Sequence, residues 1–228
     1  MIKYIKNLLL RQDNYSEEES TKNAKRFEQS ISILKKEGVP YIDWLPVYDS
    51  LGLRSKEEIC NRAISLMIVA VRAEGLELDR TLQIAKQYEA VDYFSPEEKE
   101  FLELYIYTYE VRAKFSWRYE SYWTLLWMLG YIDTLERPEN ICDVSKAVHI
   151  IHDRTKKQFI QQAHLRDMEE ILDLADLTLR YHWAVRNEAI NGKQPSTNLD
   201  SSVRYERRYA FSWVLNKESS WDEADTST

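Results

Sequence analysis

Glycine and proline are scarce in this sequence. Five residues of each type are spread over 228 positions, whereas folds built from short strands need many tight turns rich in these residues. The scarcity argues against an all-β fold and favours long helices. Strand-like alternation of apolar and polar residues is also rare, and the single candidate for an extended segment is residues 104–109.

Cysteine is scarcer still. Cys60 and Cys142 are the only two, and their spacing fits neither a disulfide framework nor a metal-binding motif. We predict that Cys60 faces the core of a helical fold, as unpaired cysteines commonly do. A chain with two reduced thiols is expected in the cytoplasm.

Excess positive charge and long apolar runs are lacking as well. The net charge is −7, so the chain lacks the basic footprint that nucleic-acid binding requires. The longest internal apolar run, residues 64–71, is too short to cross a bilayer. The amino-terminal apolar segment is interrupted by Lys6 and Asn7 and has no signal-peptide cleavage site. We therefore expect a soluble protein that binds neither nucleic acid nor membranes.

Helical periodicity with helix-capping residues is abundant. Ser55 and Glu58 form a capping box, and Ser95 followed by Pro96 marks another helix start. The pattern predicts an all-α fold, a single compact multi-helix domain with a central buried helix and little or no β-structure. The predicted helices cover, to within a few residues, 16–36, 55–74, 79–90, 117–129, 144–153, 166–187 and 202–216, with one more starting at 96.

The domain organisation is expected to be simple. Residues 1–53 are predicted to form a helical extension packed on the core, and residues 54–228 the all-helical core domain. The short acidic segment 221–228 is expected to be mobile, with Trp221 as a candidate anchor.

Four charged residues project onto the apolar faces of their helices. At 100° per residue, Arg118 and Glu120 fall within apolar arcs. Glu206 projects onto an apolar side, with Arg207 at its edge. Because a buried carboxylate needs a partner, we predict that Glu206 is buried and paired with Arg118 or Arg180 of another helix.

A polar stripe runs along the helix predicted at residues 166–187. Its members follow a four–three–four spacing, which stacks them on one face between two apolar flanks: Glu169, Asp173, Asp176 and Arg180. Such a helix is expected to lie between neighbours, with the stripe open along a groove. Asp176 and Arg180 are four residues apart and can bridge.

These charges allow two interpretations. In the first, a buried ion-pair network fixes the register of the helices. In the second, the stripe lines a pocket whose wall includes Trp117, His182 and Trp183, and an Arg in this pocket binds an anion. We favour the network, because structural ion pairs also perturb charges without forming active sites. The candidate residues for the pocket or network are Trp117, Arg118, Glu120, Glu170, Asp173, Asp176, Arg180, His182, Trp183, Arg186, Glu206 and Arg207.

Common catalytic and cofactor motifs are missing. The sequence contains no glycine-rich phosphate loop, no His-Glu-x-x-His zinc helix and no Gly-x-Ser-x-Gly nucleophile turn. His149, His152 and Asp153 fit a metal-bound dyad only in part, because further ligands would have to come from other helices. We predict no cofactor and no bound metal, and assign no catalytic residue.

Several short segments occur in a characteristic order along the chain. They include residues 54–59, 95–98, 116–118, 180–186 (Arg-Tyr-His-Trp-Ala-Val-Arg) and 205–207. In this order they resemble a bacterial family catalogued as domain of unknown function 4272, over residues 54–226. The resemblance implies a mostly helical cytoplasmic domain without an assigned activity.

Two functional hypotheses follow from the sequence. The leading one is a non-catalytic binding protein that holds a protein partner, for example by neutralising a basic toxin. The alternative is an enzyme or a binder of small anions, in which Arg118, Arg180 or Arg186 grips the anion and Asp173 or Glu206 acts as acid or base. The protein is expected to be a monomer or a homodimer.

Overall fold

The computed structural model of the chain describes residues 16–192 and 196–227. In these residues the regular structure is helical and no β-strand occurs, which confirms the all-α prediction. A 3-10 turn, Val91–Tyr93, lies between the third and fourth helices. The helices are α1 (Glu17–Glu37), α2 (Lys56–Ala73), α3 (Leu78–Gln87), α4 (Pro96–Glu103), α5 (Tyr109–Ser116), α6 (Arg118–Met128), α7 (Val144–His152), α8 (Lys156–Gln162), α9 (Met168–Ile190) and α10 (Ser201–Val214).

The helix starts follow the capping residues of the sequence. The side chains of Ser16, Ser55 and Ser95 each accept a hydrogen bond from the backbone N–H at the third helical position. The Glu carboxylate at that position accepts a hydrogen bond from the backbone N–H of the same Ser. At the other end of α1, Gly38 adopts a left-handed conformation with φ of 69°, which a side chain would disfavour. Local sequence therefore sets these boundaries.

The centre of the fold is α6, in which every residue is buried. It packs against α2 on one side and α10 on the other. This confirms the predicted central helix. Most residues of α2 are also buried, with Cys60 facing the core as predicted, so two helices share the centre.

The first helix lies across the long helix α9. Ile31 and Leu34 of α1 pack with Tyr181 and Ala184 of α9 in a small apolar cluster. Helix α1 therefore covers Asp176 and Arg180 of the polar stripe, which are buried, whereas Glu169 and Asp173 stay about half exposed. A groove of about 780 Å³ between α1 and α9 reaches Asp173, in line with the expected groove along the stripe.

Two segments differ from the sequence-based expectation. Residues 104–109 contain no strand, and α5 begins at Tyr109 because the Thr108 hydroxyl accepts the backbone N–H of Val111. The carboxyl-terminal segment is held in place: Trp221 is 3% exposed and its carbonyl accepts a hydrogen bond from the Tyr209 hydroxyl. The candidate anchor is thus a core residue.

Membrane insertion of the described residues is not supported. None of the helices in residues 16–192 and 196–227 is both long enough and apolar enough to span a bilayer. The prediction about a signal peptide concerns residues 1–15, which lie outside the described residues.

Candidate anion-binding pocket

A basic pocket opens where α5, α6, α9 and α10 meet. Its volume is about 520 Å³. Four cationic side chains reach it, whereas a single carboxylate does so. The residues that line it are Lys114, Trp117, Arg118, His182, Arg186, Ser201, Ser202, Arg204, Tyr205 and Glu206.

One side of the pocket holds a compensated ion pair. The Arg118 Nη1 lies 3.1 Å from Glu206 Oε2 and 3.3 Å from Oε1. The Ser121 hydroxyl donates to the same carboxylate at 2.5 Å. Both charged residues are buried. The prediction that Glu206 pairs with an Arg of another helix is confirmed, and the partner is Arg118 rather than Arg180.

Burial acts strongly on this pair. Removal from water raises the pKa of the Glu206 carboxyl, while the charge of Arg118 and the hydroxyl of Ser121 oppose that rise. The Arg118 guanidinium also lies over the Tyr209 ring, 4.7 Å from its centroid. The Arg118 charge therefore interacts with two groups of the fold, the Glu206 carboxylate and the Tyr209 ring.

The other side of the pocket holds Arg186 and Arg204, which form no ion pair with a carboxylate of the described residues. Arg204 is 7% exposed, and its Nη1 lies 2.6 Å from Nδ1 of His182. Because a guanidinium can only donate, Nδ1 must accept and the imidazole must carry its proton on Nε2. Within the described residues, Arg204 Nε has no hydrogen-bond partner, whereas the His182 ring lies close to the Thr226 backbone.

The pKa values of these two groups reflect crowding of positive charge. Burial, followed by the charges of Arg204, Arg208 and Arg186, lowers the pKa of His182 to about 2, against a small opposing effect of the Thr226 backbone. Burial and the charge of Arg186 lower the pKa of Arg204 to about 10, while the negative charge of Asp200 opposes that fall. At neutral pH the imidazole is therefore neutral and Arg204 remains cationic.

The remaining cations differ in how they are balanced. Lys114 lies 2.6 Å from Glu97, and both side chains are about half exposed. Arg186 has no ion pair with any described residue. Among the described residues, the positive charge around Arg186 and Arg204 is therefore offset only in part, by the charge of Asp200.

The first turn of α10 forms one wall. Asp200 caps the helix by accepting the backbone N–H groups of Ser202 and Val203 at 2.8 and 2.9 Å. The hydroxyl-bearing residues Ser201 and Ser202 line the cavity beside this cap. The Asp200 carboxylate already offsets part of the positive end of this helix dipole.

The predicted polar stripe lies elsewhere. Arg26 of α1 donates to Asp173 at 2.9 Å and to Glu169 at 2.5 Å. Asp176 accepts two hydrogen bonds from Arg180, at 2.8 and 3.1 Å, and is completely buried. The stripe is therefore an interface between α1 and α9, not a wall of the basic pocket.

The expected single ion network is divided. Glu120 accepts the backbone N–H of Cys142 and lies 3.9 Å from Arg207, apart from the Asp176–Arg180 pair. Glu170 pairs with Arg166 at 2.5 Å.

Five of the predicted residues do meet in the basic pocket, and they are Trp117, Arg118, His182, Arg186 and Glu206. Trp183, expected in its wall, packs between the two apolar clusters.

Sequence reasoning missed Arg204 and Lys114. Arg204 lies two positions before Glu206 on α10, so it points away from the apolar side on which the projection focused. Arg204 and His182 lie on different helices, so no spacing along the chain indicates that the two residues are close. The cluster Arg204-x-Glu206-Arg207-Arg208 was the available signal, because four charges in five positions cannot all face solvent on a buried helix.

The partial metal motif is not completed by the fold. His149 and His152 are exposed on α7, and the His152 ring contacts Asp153 at 3.1 Å. Among the described residues, no group of three or more His, Cys, Asp or Glu side chains is placed to hold a metal ion.

Comparison with known proteins shows the family of this chain. Residues 26–224 match the family model described as Domain of unknown function (DUF4272), and the chain belongs to that family. The match begins inside α1, so the likeness extends well before residue 54, where the resemblance was expected to begin. No curated protein and no solved structure matches the chain.

Proposed function

We propose that this protein is a non-catalytic binding protein whose basic pocket holds a small phosphorylated or carboxylated ligand. The observation that supports this proposal is the buried Arg204, whose hydrogen-bond partner in the described residues is a neutral imidazole. A buried guanidinium beside a second Arg is costly without a compensating charge. A bound anion would supply that charge through charge-assisted hydrogen bonds.

The other groups of the pocket suit such a ligand. Arg204 Nε is a buried donor without a partner among the described residues, and Arg186 adds a second cation. Ser201 and Ser202 offer hydroxyl donors. Trp117 and Tyr205 provide aromatic surface for the remainder of an organic anion.

Several features favour binding over catalysis. Because the pKa of His182 is about 2, its imidazole cannot take a proton from a substrate at neutral pH. Glu206 is held by Arg118 and Ser121, and burial raises the pKa of Cys60 to about 12 at a site away from the pocket. Asp173, the other proposed acid or base, contacts Arg26 instead.

The proposal includes the bacterial cytoplasm as the site of action. The support is that both cysteines are free and buried, which suits a reducing compartment. The family resemblance points to the same setting.

The test is isothermal titration calorimetry of the purified protein with phenyl phosphate, benzoate and uncharged benzyl alcohol. We expect the two anions to bind and benzyl alcohol not to bind. Arg204→Gln should weaken phenyl phosphate binding by at least about tenfold, because it removes the buried cation.

A matched control is Arg112→Gln, which removes the same charge from an exposed position outside the pocket. This variant should bind phenyl phosphate as the unaltered protein does. Equal losses in both variants would show that net charge alone attracts the anion, and the pocket proposal would be wrong.

A second candidate function, binding of a protein partner, is favoured by one exposed apolar segment. Between α4 and α5, Ile106 is 91% exposed and its neighbours Tyr105 and Tyr109 are also exposed. Glu103 and Glu110 border the segment and suit a basic partner such as a toxin. Titration with the product of a neighbouring gene tests this, and Ile106→Asp should weaken that binding at least about tenfold.

A further inference from the structure

A second cavity is lined by residues of α2, α10 and the carboxyl-terminal segment. Its volume is about 300 Å³, and it forms where α2, the 3-10 turn, the start of α4 and the carboxyl-terminal segment meet. Tyr93, Trp213 and Trp221 supply aromatic walls. The rings of Trp213 and Trp221 meet edge to face, with centroids 5.5 Å apart. Such walls favour a flat ligand.

Three residues that line this cavity each have a buried polar atom without a hydrogen-bond partner among the described residues, and they are Asn61 (Oδ1), Arg62 (Nε) and Trp221 (Nε1). Asn61 is 5% exposed and its Oδ1 is an unused acceptor. Trp221 is 3% exposed and its Nε1–H is an unused donor. Buried polar groups are almost always hydrogen-bonded, so an unused acceptor and an unused donor in one cavity indicate a missing partner with the opposite groups.

The charges around the cavity differ from those of the basic pocket. Arg62 donates to the buried Glu98 and lies 5.0 Å from the centroid of the Trp221 ring, so its charge is compensated. Glu58 and Asp92 add carboxylates at the lining. An anionic ligand is therefore disfavoured, and an uncharged ligand suits the cavity.

We propose that this cavity binds a flat, uncharged ring that carries a carbonyl oxygen next to an N–H, as in a lactam or the edge of a nucleobase. The ligand carbonyl accepts from Trp221 Nε1–H, and the ligand N–H donates to Asn61 Oδ1. The face of the ring lies against the aromatic walls. This site uses none of the residues that line the basic pocket, so it is independent of the anion-binding proposal.

The experiment is a ligand-observed NMR titration with 2-pyridone. Its matched control compound is N-methyl-2-pyridone, which keeps the ring and the carbonyl but lacks the N–H. We expect 2-pyridone to show saturable binding and the methylated compound to bind at least about tenfold more weakly, because it leaves Asn61 Oδ1 without a donor.

Two variants locate the binding. Asn61→Leu removes the acceptor at similar size, and Trp221→Phe removes the indole N–H while it keeps an aromatic ring. Each should weaken 2-pyridone binding at least about tenfold, whereas Trp44→Phe, at an exposed position, should have no effect. Asn61→Asp keeps an acceptor oxygen and should retain binding better than Asn61→Leu.

Thermal melts of each variant establish that it is folded. If Trp221→Phe does not fold, the binding measurement on Asn61→Leu decides the outcome. The inference is overturned if 2-pyridone shows no saturable binding up to about 10 mM. It is also overturned if the methylated compound binds equally well, or if folded Asn61→Leu binds 2-pyridone as tightly as the unaltered protein. Phenyl phosphate binding should be the same in Asn61→Leu, so failure at one site leaves the other untouched.

Discussion

The two sides of the basic pocket satisfy buried charge in opposite ways. On one side, Arg118 and Glu206 form an ion pair that Ser121 completes. On the other, Arg204 is just as buried, yet its partner is the neutral ring of His182, with Arg186 near enough to lower both pKa values. In the first arrangement a buried carboxylate balances the charge of the guanidinium. In the second, no described carboxylate is hydrogen-bonded to Arg204, and this difference separates a structural pair from a candidate binding site.

The strongest test of this comparison removes the carboxylate of the paired side. Glu206→Ala leaves Arg118 buried without its partner and should lower the free energy of unfolding by about 3–5 kcal/mol. Urea denaturation measures it. Glu206→Gln should cost less because its amide still accepts a hydrogen bond, and replacing both partners by apolar residues should recover much of the loss. A change within about 0.5 kcal/mol for Glu206→Ala would show that the pair contributes nothing.

The next prediction concerns pH on the unpaired side. His182 is 2% exposed and its pKa falls from the ordinary 6.5 to about 2 on folding. The unfolded chain therefore binds a proton below pH 6.5 that the folded chain does not. The associated stability is fully present above pH 6.5 and is lost as the pH falls. Between pH 8 and pH 5 the loss should be about 2 kcal/mol.

Urea denaturation at several pH values measures this dependence. His182→Gln, which keeps an acceptor for Arg204, should flatten the curve by that amount. His152→Gln, at an exposed position, should leave the curve unchanged. If both variants have the same pH dependence, His182 titrates normally in the folded protein.

A smaller effect is expected when Arg204 itself is removed. Arg204→Met should change the stability of the ligand-free protein by no more than about 1 kcal/mol, because the relief of repulsion with Arg186 offsets the lost hydrogen bond to His182 Nδ1. The same variant should lose the rise in Tm that phenyl phosphate gives the unaltered protein. If Arg204→Met is strongly destabilised, Arg204 stabilises the fold as the Arg118–Glu206 pair does. That result would contradict its assignment as a ligand-binding residue.

The smallest effect belongs to the exposed pair at the rim. Lys114 and Glu97 are both about half exposed, so solvent screens their attraction. Glu97→Gln should change the free energy of unfolding by less than about 1 kcal/mol. A larger change in thermal or urea denaturation would show that the exposure of an ion pair does not determine how much the pair stabilises the protein.

Local signals in the sequence predicted most of the helices. Capping boxes at Ser16, Ser55 and Ser95 act over three residues, so sequence alone sufficed for those starts. The same signal was present at Thr155 and Gln158, where it caps α8, but that helix was not predicted. The missed helix α5 has a single Thr108 cap and a weak apolar pattern, so little in the sequence distinguishes it from an extended segment.

The candidate site was only half predictable, for a physical reason. Projection placed Glu206 in the core, because helical periodicity is local. The identity of its partner depends on how α6 lies against α10, which periodicity does not determine. The contact between Arg26 and Asp173 spans 147 positions and was not foreseen. The meeting of Arg204 with His182 depends likewise on the packing of α9 against α10.

The position of Trp221 has a consequence for how the protein is made. Its ring lies over Arg62 of α2 and near Arg118 of α6, at 5.0 and 5.5 Å from the two guanidinium carbons. Translation proceeds from the amino terminus, so both helices leave the ribosome long before the residue that covers them. The guanidinium groups of Arg62 and Arg118 therefore lack this aromatic cover until Trp221 has left the exit tunnel, shortly after α10 has emerged.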